Sequence, residues 1–574
     1  MILIKRTLIL LAVQFVALTY CSIDAQNATS EVAYLQTDRT VYIAGEPVFY
    51  KLYVLDAATK KRSDISKEGY VLLRGANLNT FLKVRVKIDL GVSSGSIQLP
   101  DTLSSGVYQL VAYTSAMKNY GEKHFFHSEI VVANRFDKEL NFKLQNSNLS
   151  NVDTTKRNDG ESKLKTDKAV YGPREKVIVS LDKISSKANV SVSVFEEPQL
   201  ASTHKSIVET LSELSAAQPD KQIQNYYLPE NQGKILRGRV IDANTHQNIK
   251  NATVLLSCMD SLPNLQYAST NSTGMFQMLL SDYYNGKELF FTIKDMPVNQ
   301  NWKIEIEDGF AMSEKWNPSL SVSKDNYKGF IVKSQGIVYV NKCYKLNDDI
   351  VAKTLPDVKM VCPQFYHCPV RTIVPSDFVP LNDLPEISVE LIPFLRISKD
   401  NGKYTAQVLF QPENLYYNKP AIFLDGVFVD DINKVIVLGS EQIKRIDIVD
   451  NERIFGDLVF EGVISITSKS NEILNTTPAS NSLRIKNDNL NVGGSFVAVN
   501  PNSNPDKNIP YYKQLLYWNP DMELSQTDKT NFEFYTSDNT ANFIIKVEGI
   551  SEDGTPVSAS TTIQVNNQIN ATGK

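Results

Sequence analysis

Two copies of one short pattern constrain this chain more than anything else in it. Thr37-Asp38-Arg39-Thr40-Val41-Tyr42, followed by Glu46 and Val48, recurs as Thr166-Asp167-Lys168-Ala169-Val170-Tyr171, followed by Glu175 and Val177, at identical internal spacing. Each copy reads as a strand, a tight turn at Gly45 or at Gly172-Pro173, and a second strand that starts after the Glu. Two similar β units are therefore predicted to open at these points. Short runs such as Val48 to Val54, Val107 to Tyr113 and Val190 to Val194 read as further strands, rich in the β-branched and aromatic residues that pack on a pleated surface. Helical stretches are few, and the clearest lies between Ser206 and Leu214, where Ile207, Leu211 and Leu214 recur at helical spacing. At 574 residues the chain is too long for one core, and several domains are expected.

The net charge of -4 is small and without blocks, so the clustered Lys and Arg that duplex binding needs are missing, and nucleic acid is excluded as a partner. Lys5 and Arg6 precede an apolar run from Leu8 to Leu18, interrupted by Gln14 and followed by small and polar residues to Ala25. Residues 1–25 read as a secretory leader, the run being too short to span a bilayer comfortably. A lipid anchor at Cys21 competes with that reading, but Tyr20 stands where a lipobox has Gly or Ala. No later run is apolar enough for a membrane helix, so membrane association is expected to be peripheral or through a partner. Export places Cys258, Cys343, Cys362 and Cys368 in an oxidising compartment with every pairing open. Cys362 and Cys368 are the closest pair, and a disulfide or unreactive free thiols are preferred over zinc held by Cys362, His367 and Cys368, because a second tight Cys pair is lacking.

The Thr-Asp-Arg-x-x-Tyr-x-x-Gly-Glu-x-Val run resembles the start of a macroglobulin-type domain, the β-sandwich from which alpha-macroglobulins and their bacterial relatives are strung. Leu99-Pro100-Asp101, Ser105-Gly106-Val107-Tyr108 and Ala112-Tyr113-Thr114 are similar to later strands of such domains in Gram-negative envelope proteins. The resemblance implies a sandwich at 31–135, a polar linker at 136–164 and a second macroglobulin-like segment with the short helix at 165–232. Gly238-Arg239-Val240-Ile241-Asp242, Ile249 to Val254, and Thr270 with Gly274-Met275-Phe276 resemble a carboxypeptidase regulatory-like domain, a small sandwich without peptidase activity, at 235–302. Residues 303–393, which include the close cysteine pair, carry no clear pattern.

Ala421 to Asp430 holds an Asp425-Gly426 pair between two apolar runs, the strongest short hairpin signal. With Ile443 to Val449, Phe455-Gly456 and Gly462 to Lys469 it resembles the plug domain of TonB-dependent receptors, implying a small α/β unit at 394–470 whose motif residues are Asp425, Gly426, Gly456 and Gly462. Phe455 and Asp447 depart from the usual Tyr and Glu. Only 104 residues follow Ser470 (574 minus 470), whereas a receptor barrel of roughly 22 strands at about 10 residues each needs more than about 200. The plug-like unit is therefore expected to be free-standing. Tyr517-Trp518-Asn519-Pro520 and the alternation in Phe532 to Tyr535 and Phe543 to Val547 point to a C-terminal sandwich at 483–568.

Macroglobulins that trap proteases covalently carry a Cys-Gly-Glu-Gln thioester. The nearest string, Val437-Leu438-Gly439-Ser440-Glu441-Gln442, has Gly439 in the thiol position, and Ser440 with Ile443 reads instead as the cap and first turn of a short helix. His124, His127, His204, His246 and His367 sit in no nucleophile or zinc motif, the acid pairs Asp348-Asp349 and Asp430-Asp431 read as surface turns, and no glycine loop suits a phosphate. No catalytic, cofactor or metal site is therefore expected. The chain reads as mainly β, with tandem macroglobulin- or immunoglobulin-like sandwiches plus one small plug-like α/β domain. Its expected role is a non-enzymatic interaction or structural protein of the periplasm or outer membrane, with another envelope protein or an outer-membrane barrel as partner. The alternatives are an accessory of TonB-dependent nutrient uptake and a thioester-less protease-binding protein.

Overall fold

The computed structural model describes residues 30–76, 79–137, 144–145, 164–197, 205–213, 226–297, 299–311, 315–318, 322–344, 350–353, 358, 366, 369, 371–475, 481–503, 506 and 508–567. The leader with Cys21, the helix end at Leu214, His204, His367, Cys362, Cys368 and Asp348-Asp349 lie outside the described residues. The chain forms two compact units: Met1–Asn231, Phe310–Leu355 and Asn491–Lys574 make the first, and Gln232–Gly309 with Pro356–Leu490 the second.

The first unit opens with a sandwich. One sheet runs in the order β1 (Glu31–Thr37), β3 (Pro47–Asp56), β6 (Val92–Gln98). The other begins at β2 (Val41–Ile43) and continues through β8 (Phe126–Ala133), β7 (Gly106–Thr114), β4 (Glu68–Arg74) and β5 (Thr80–Lys87). Leu35, Leu52, Val54, Tyr70, Leu72, Val111 and Tyr113 are among the residues of its core. β4 and β7 are buried along their whole length instead of on alternate residues. Both faces of that sheet are covered, since later segments supply Phe310, whose ring meets Tyr70 edge-on, and Phe330, which packs on Val41, Ile43, Val131 and Ala133. Phe330 belongs to α2 (Lys324–Tyr344), within the stretch that carries no clear sequence pattern.

The second repeat starts another sandwich with β9 (Leu164–Thr166), β10 (Val170–Tyr171), β11 (Lys176–Leu181) and β12 (Ala188–Glu196), then α1 (Ile207–Glu213). The helix begins where its capping box sits: the Glu209 N–H donates to Ser206 Oγ at 3.2 Å and the Ser206 N–H to Glu209 Oε2 at 2.7 Å. Its buried residues, Ile207 and Leu211, are those at helical spacing.

The second unit contains a small sandwich. Its sheets run β16 (Met275–Leu280), β13 (Lys234–Asp242), β18 (Trp302–Ile306) and β15 (Leu265–Ser269), β14 (Thr253–Cys258), β17 (Glu288–Ile293), β27 (Ser482–Lys486). Beside it stands an α/β portion with a mixed sheet in the order β19 (Arg371–Ile373), β25 (Ile443–Phe455), β26 (Leu458–Ser468), β23 (Ala421–Leu424), β24 (Val427–Val429). A smaller sheet of β20 (Leu395–Asp400), β21 (Lys403–Phe410) and β22 (Leu415–Tyr417) accompanies it. Helix α3 (Leu384–Leu391) buries Leu384 and Ile387 against Leu424, Ile446, Ile448, Ile464 and Ile466.

The chain then returns to the first unit as β28 (Leu515–Leu524), β29 (Thr530–Tyr535), β30 (Asn542–Ser551) and β31 (Pro556–Val565). The stretches 165–232 and 483–568, read from the sequence as separate units, share one sandwich. β29 pairs with β11, for example Val177 with Phe534, and β12 lies between β28 and β30. Residues 482–486 do not belong with it, because β27 pairs with β17 of the small sandwich, Glu288 opposite Lys486. The short strands β9–β12 have no second layer of their own, and Val177, Val179, Val190 and Val192 are buried only once Phe534, Phe543, Ile545 and Val547 face them.

Candidate functional site

The repeated pattern builds the same corner twice. In the first copy Asp38 Oδ1 accepts from the Tyr42 hydroxyl at 2.9 Å and from the Phe49 N–H at 2.9 Å, and Glu46 Oε2 accepts from the Ile43 N–H and the Arg39 guanidinium. In the second, Asp167 Oδ1 accepts from the Tyr171 hydroxyl at 2.8 Å and the Ile178 N–H at 2.8 Å, and Glu175 accepts from the Gly172 N–H and from Lys168. The pattern therefore fixes a turn between strands. Surroundings separate the copies: burial pushes the Asp38 carboxyl up to about 7 against the pull of Arg39, Tyr42 and the Phe49 N–H. At Asp167 burial is slight, and the Ile178 N–H and the Tyr171 hydroxyl hold its carboxyl below the usual range.

The plug-like motif residues are likewise spent on the chain itself. Asp425 and Gly426, at φ +50° and +82°, make the two-residue turn between β23 and β24. The Asp425 carboxylate, 3% exposed, accepts from the Ser468 N–H at 2.7 Å, the Ser468 hydroxyl at 2.8 Å and the Ile473 N–H at 3.1 Å. A Cβ on Gly426 would stand 2.7 Å from the Asp260 carbonyl oxygen, and the Phe428 N–H donates to Ser257 Oγ at 3.1 Å, so the hairpin sits tightly on the end of β14. Gly456, at φ +60°, turns β25 into β26 over Tyr267, whose hydroxyl accepts from the Asp457 N–H at 3.0 Å. Gly462, at φ +94°, faces the β25 irregularity between Val449 and Glu452. The structure brings Asp425 and Ser468 together but does not bring the three glycines to one place. Ser440 heads no helix: its hydroxyl accepts from the Leu381 N–H at 2.9 Å, and the chain passes through a turn into β25.

Among the described residues, Cys258 and Cys343 are free, the first buried with its thiol 3.6 Å from the Tyr283 hydroxyl and the second exposed. No cluster of three or more His, Cys, Asp or Glu among them could hold a metal. Other buried acids are committed to packing. Glu31, for example, accepts from Ser63 Oγ at 2.7 Å, Ser66 Oγ at 2.6 Å and Thr114 Oγ1 at 2.7 Å.

Among the described residues, a cleft of about 430 Å³ in the first unit, which no motif announces, has room for a ligand. The β2–β3 turn (Gly45, Glu46, Pro47) forms one wall, Val338 and Asn341 of α2 another, and Tyr512 to Leu515, leading into β28, a third. Phe49, Phe496 and Leu515 supply an apolar floor, and Arg39, Arg135, Lys342, Lys513, Glu46 and Asp101 the charges. Arg39 is held by Glu46 at 2.8 Å and Asp38 at 3.7 Å. Burial works against its charge, but these carboxylates outweigh it, and its pKa lies above the usual value. Sequence reasoning reached Arg39 and Glu46 as part of the repeat. The cleft itself is assembled from six separate stretches and leaves no local signal.

No family model matches this chain, and no curated protein does. Solved structures similar to it are bacterial alpha-2-macroglobulins. The trypsin-activated protein of Escherichia coli is 9% identical over 94% of this chain and 42% of its own, with a TM-score of 0.24. The native E. coli form is 10% identical over 94% and 40%, also at 0.24. The methylamine-reacted Salmonella protein is 9% identical over 93% and 39%, again at 0.24. This chain thus spans less than half the length of each, and so loose a likeness transfers neither a site nor an activity. No helix among the described residues is long and apolar enough to cross a membrane.

Proposed function

We propose that this chain is a non-enzymatic interaction protein of the bacterial envelope, and that it holds a segment of another envelope protein in the cleft of its first unit. The observation that carries the reading is the make-up of that cleft: an aromatic and aliphatic floor under a rim of both charge signs, at a volume suited to a few side chains. Among the described residues, Glu31, Asp425, Gly426 and Gly456 are engaged by contacts within the chain. The stretch 394–470 remains a plug-like module in this reading and 235–302 a regulatory-like one, each presenting loops and strand edges.

Fractionation of cells combined with photo-crosslinking from Asn341 tests this. The expected result is an envelope-located protein linked to one defined partner, with the link abolished by Phe496→Asp. Recovery from the cytoplasm, or equal linking by Phe496→Asp, would end the proposal. Cleavage-induced compaction by broad-spectrum proteases would point instead to protease binding.

A further inference from the structure

β3 carries a second feature, independent of the cleft reading. Its residues alternate in direction, so Phe49, Lys51 and Tyr53 share one face, and that face meets the second sandwich. Phe49 clusters with Phe195, Leu515 and Trp518, and the Tyr53 hydroxyl donates to the Glu548 carbonyl oxygen at 3.2 Å. Between them the whole Lys51 side chain is buried, at 0% exposure. Its Nζ contacts Asn189 Oδ1 on β12, the Pro520 carbonyl oxygen, and Asp521 Oδ1 at 3.1 Å on β28.

We propose that Lys51 and Asn189 close an intramolecular isopeptide bond that ties the first sandwich of the unit to the second. The amine touches the carboxamide oxygen, one carbonyl bond from the carbon it has to reach, and both groups are held on strands. Fixed proximity of this kind removes most of the entropic barrier to an otherwise slow acyl transfer. Burial pulls the Lys51 amine down to about 8, against the opposing effect of Asp521, which gives it nucleophilic character near neutral pH. Nζ adds to Asn189 Cγ, and Asp521 takes the proton that Nζ loses and passes it to Nδ2. The Cγ–Nδ2 bond then breaks and ammonia departs. Amine plus carboxamide give a secondary amide plus ammonia, with no change of oxidation state and no co-reactant.

Intact-mass measurement on the denatured full chain, with a peptide map, tests this. After allowance for the substitution, the wild-type chain should be lighter than Lys51→Arg by one ammonia, and one branched peptide should join the Lys51 and Asn189 segments. Asp521→Ala, altered at a half-exposed side chain, should retain the ammonia for longer after synthesis. Wild-type protein with Lys51 and Asn189 in separate peptides and no missing ammonia would overturn the bond. That map decides the matter even if Lys51→Arg fails to fold.

Discussion

Asp38 and Asp167 hold the same place in the two repeats and make the same two hydrogen bonds, yet pH should act on them in opposite directions. Asp38 keeps its proton up to about pH 7 in the folded chain, whereas an unfolded Asp releases it near about 4. Its contribution to stability is therefore full below about pH 4 and is lost as pH rises toward 7. Asp167, held below its usual value, contributes above the unfolded pKa and loses that contribution as pH falls through the folded one. Asp38→Asn keeps an oxygen for Tyr42 and Phe49, so urea midpoints should show no loss at pH 7 and a flatter dependence between pH 4 and 7. Asp167→Asn should cost less than about 1 kcal/mol at pH 7, its exposed carboxylate being screened by solvent, and nothing at low pH. The Asp-to-Tyr spacing was legible as a repeat, but the burial that separates the two was not. Segments distant in sequence, among them Phe195, Glu196, Phe330 and Lys333, close around Arg39 in the first copy, and the residues next to either Asp do not encode that.

Among elements, the β23–β24 hairpin was plain in the sequence because an Asp-Gly pair between apolar runs determines its own turn. What that turn rests on was not plain, and two glycines separate the terms. Asn401-Gly402, between β20 and β21, has φ values of +47° and +82°, nearly those of Asp425-Gly426 at +50° and +82°. A Cβ on Gly402 meets nothing within 4 Å, while one on Gly426 lies 2.7 Å from Asp260 O. Gly402→Ala should therefore cost only the left-handed backbone penalty of about 1 kcal/mol, and Gly426→Ala roughly 1–3 kcal/mol more, by chemical denaturation. Equal losses would show that the hairpin yields where it meets β14. α1 was also legible, since its cap and its apolar spacing are both local. The helix expected at Ser440 was not formed because that hydroxyl is engaged by Leu381, a partner far away in sequence.

At the scale of the molecule, sandwich character could be read from strand composition, but the nesting of one unit inside another could not. β12 is flanked by β28 and β30, and nothing in Ala188–Glu196 names partners that lie beyond the entire second unit. A chain ending at Leu490 should keep protected amides in β14 and β25 while losing them in β11 and β12, as read by hydrogen exchange. Protection of β12 in that shortened chain would show that the half-sandwich closes by itself.

The divided sandwich also sets an order of events on the ribosome. Valine-rich β11 and β12 emerge early and must wait, with their edges open, until the last strands are made, so the nascent chain stays vulnerable to chaperone capture or aggregation throughout translation of the insert.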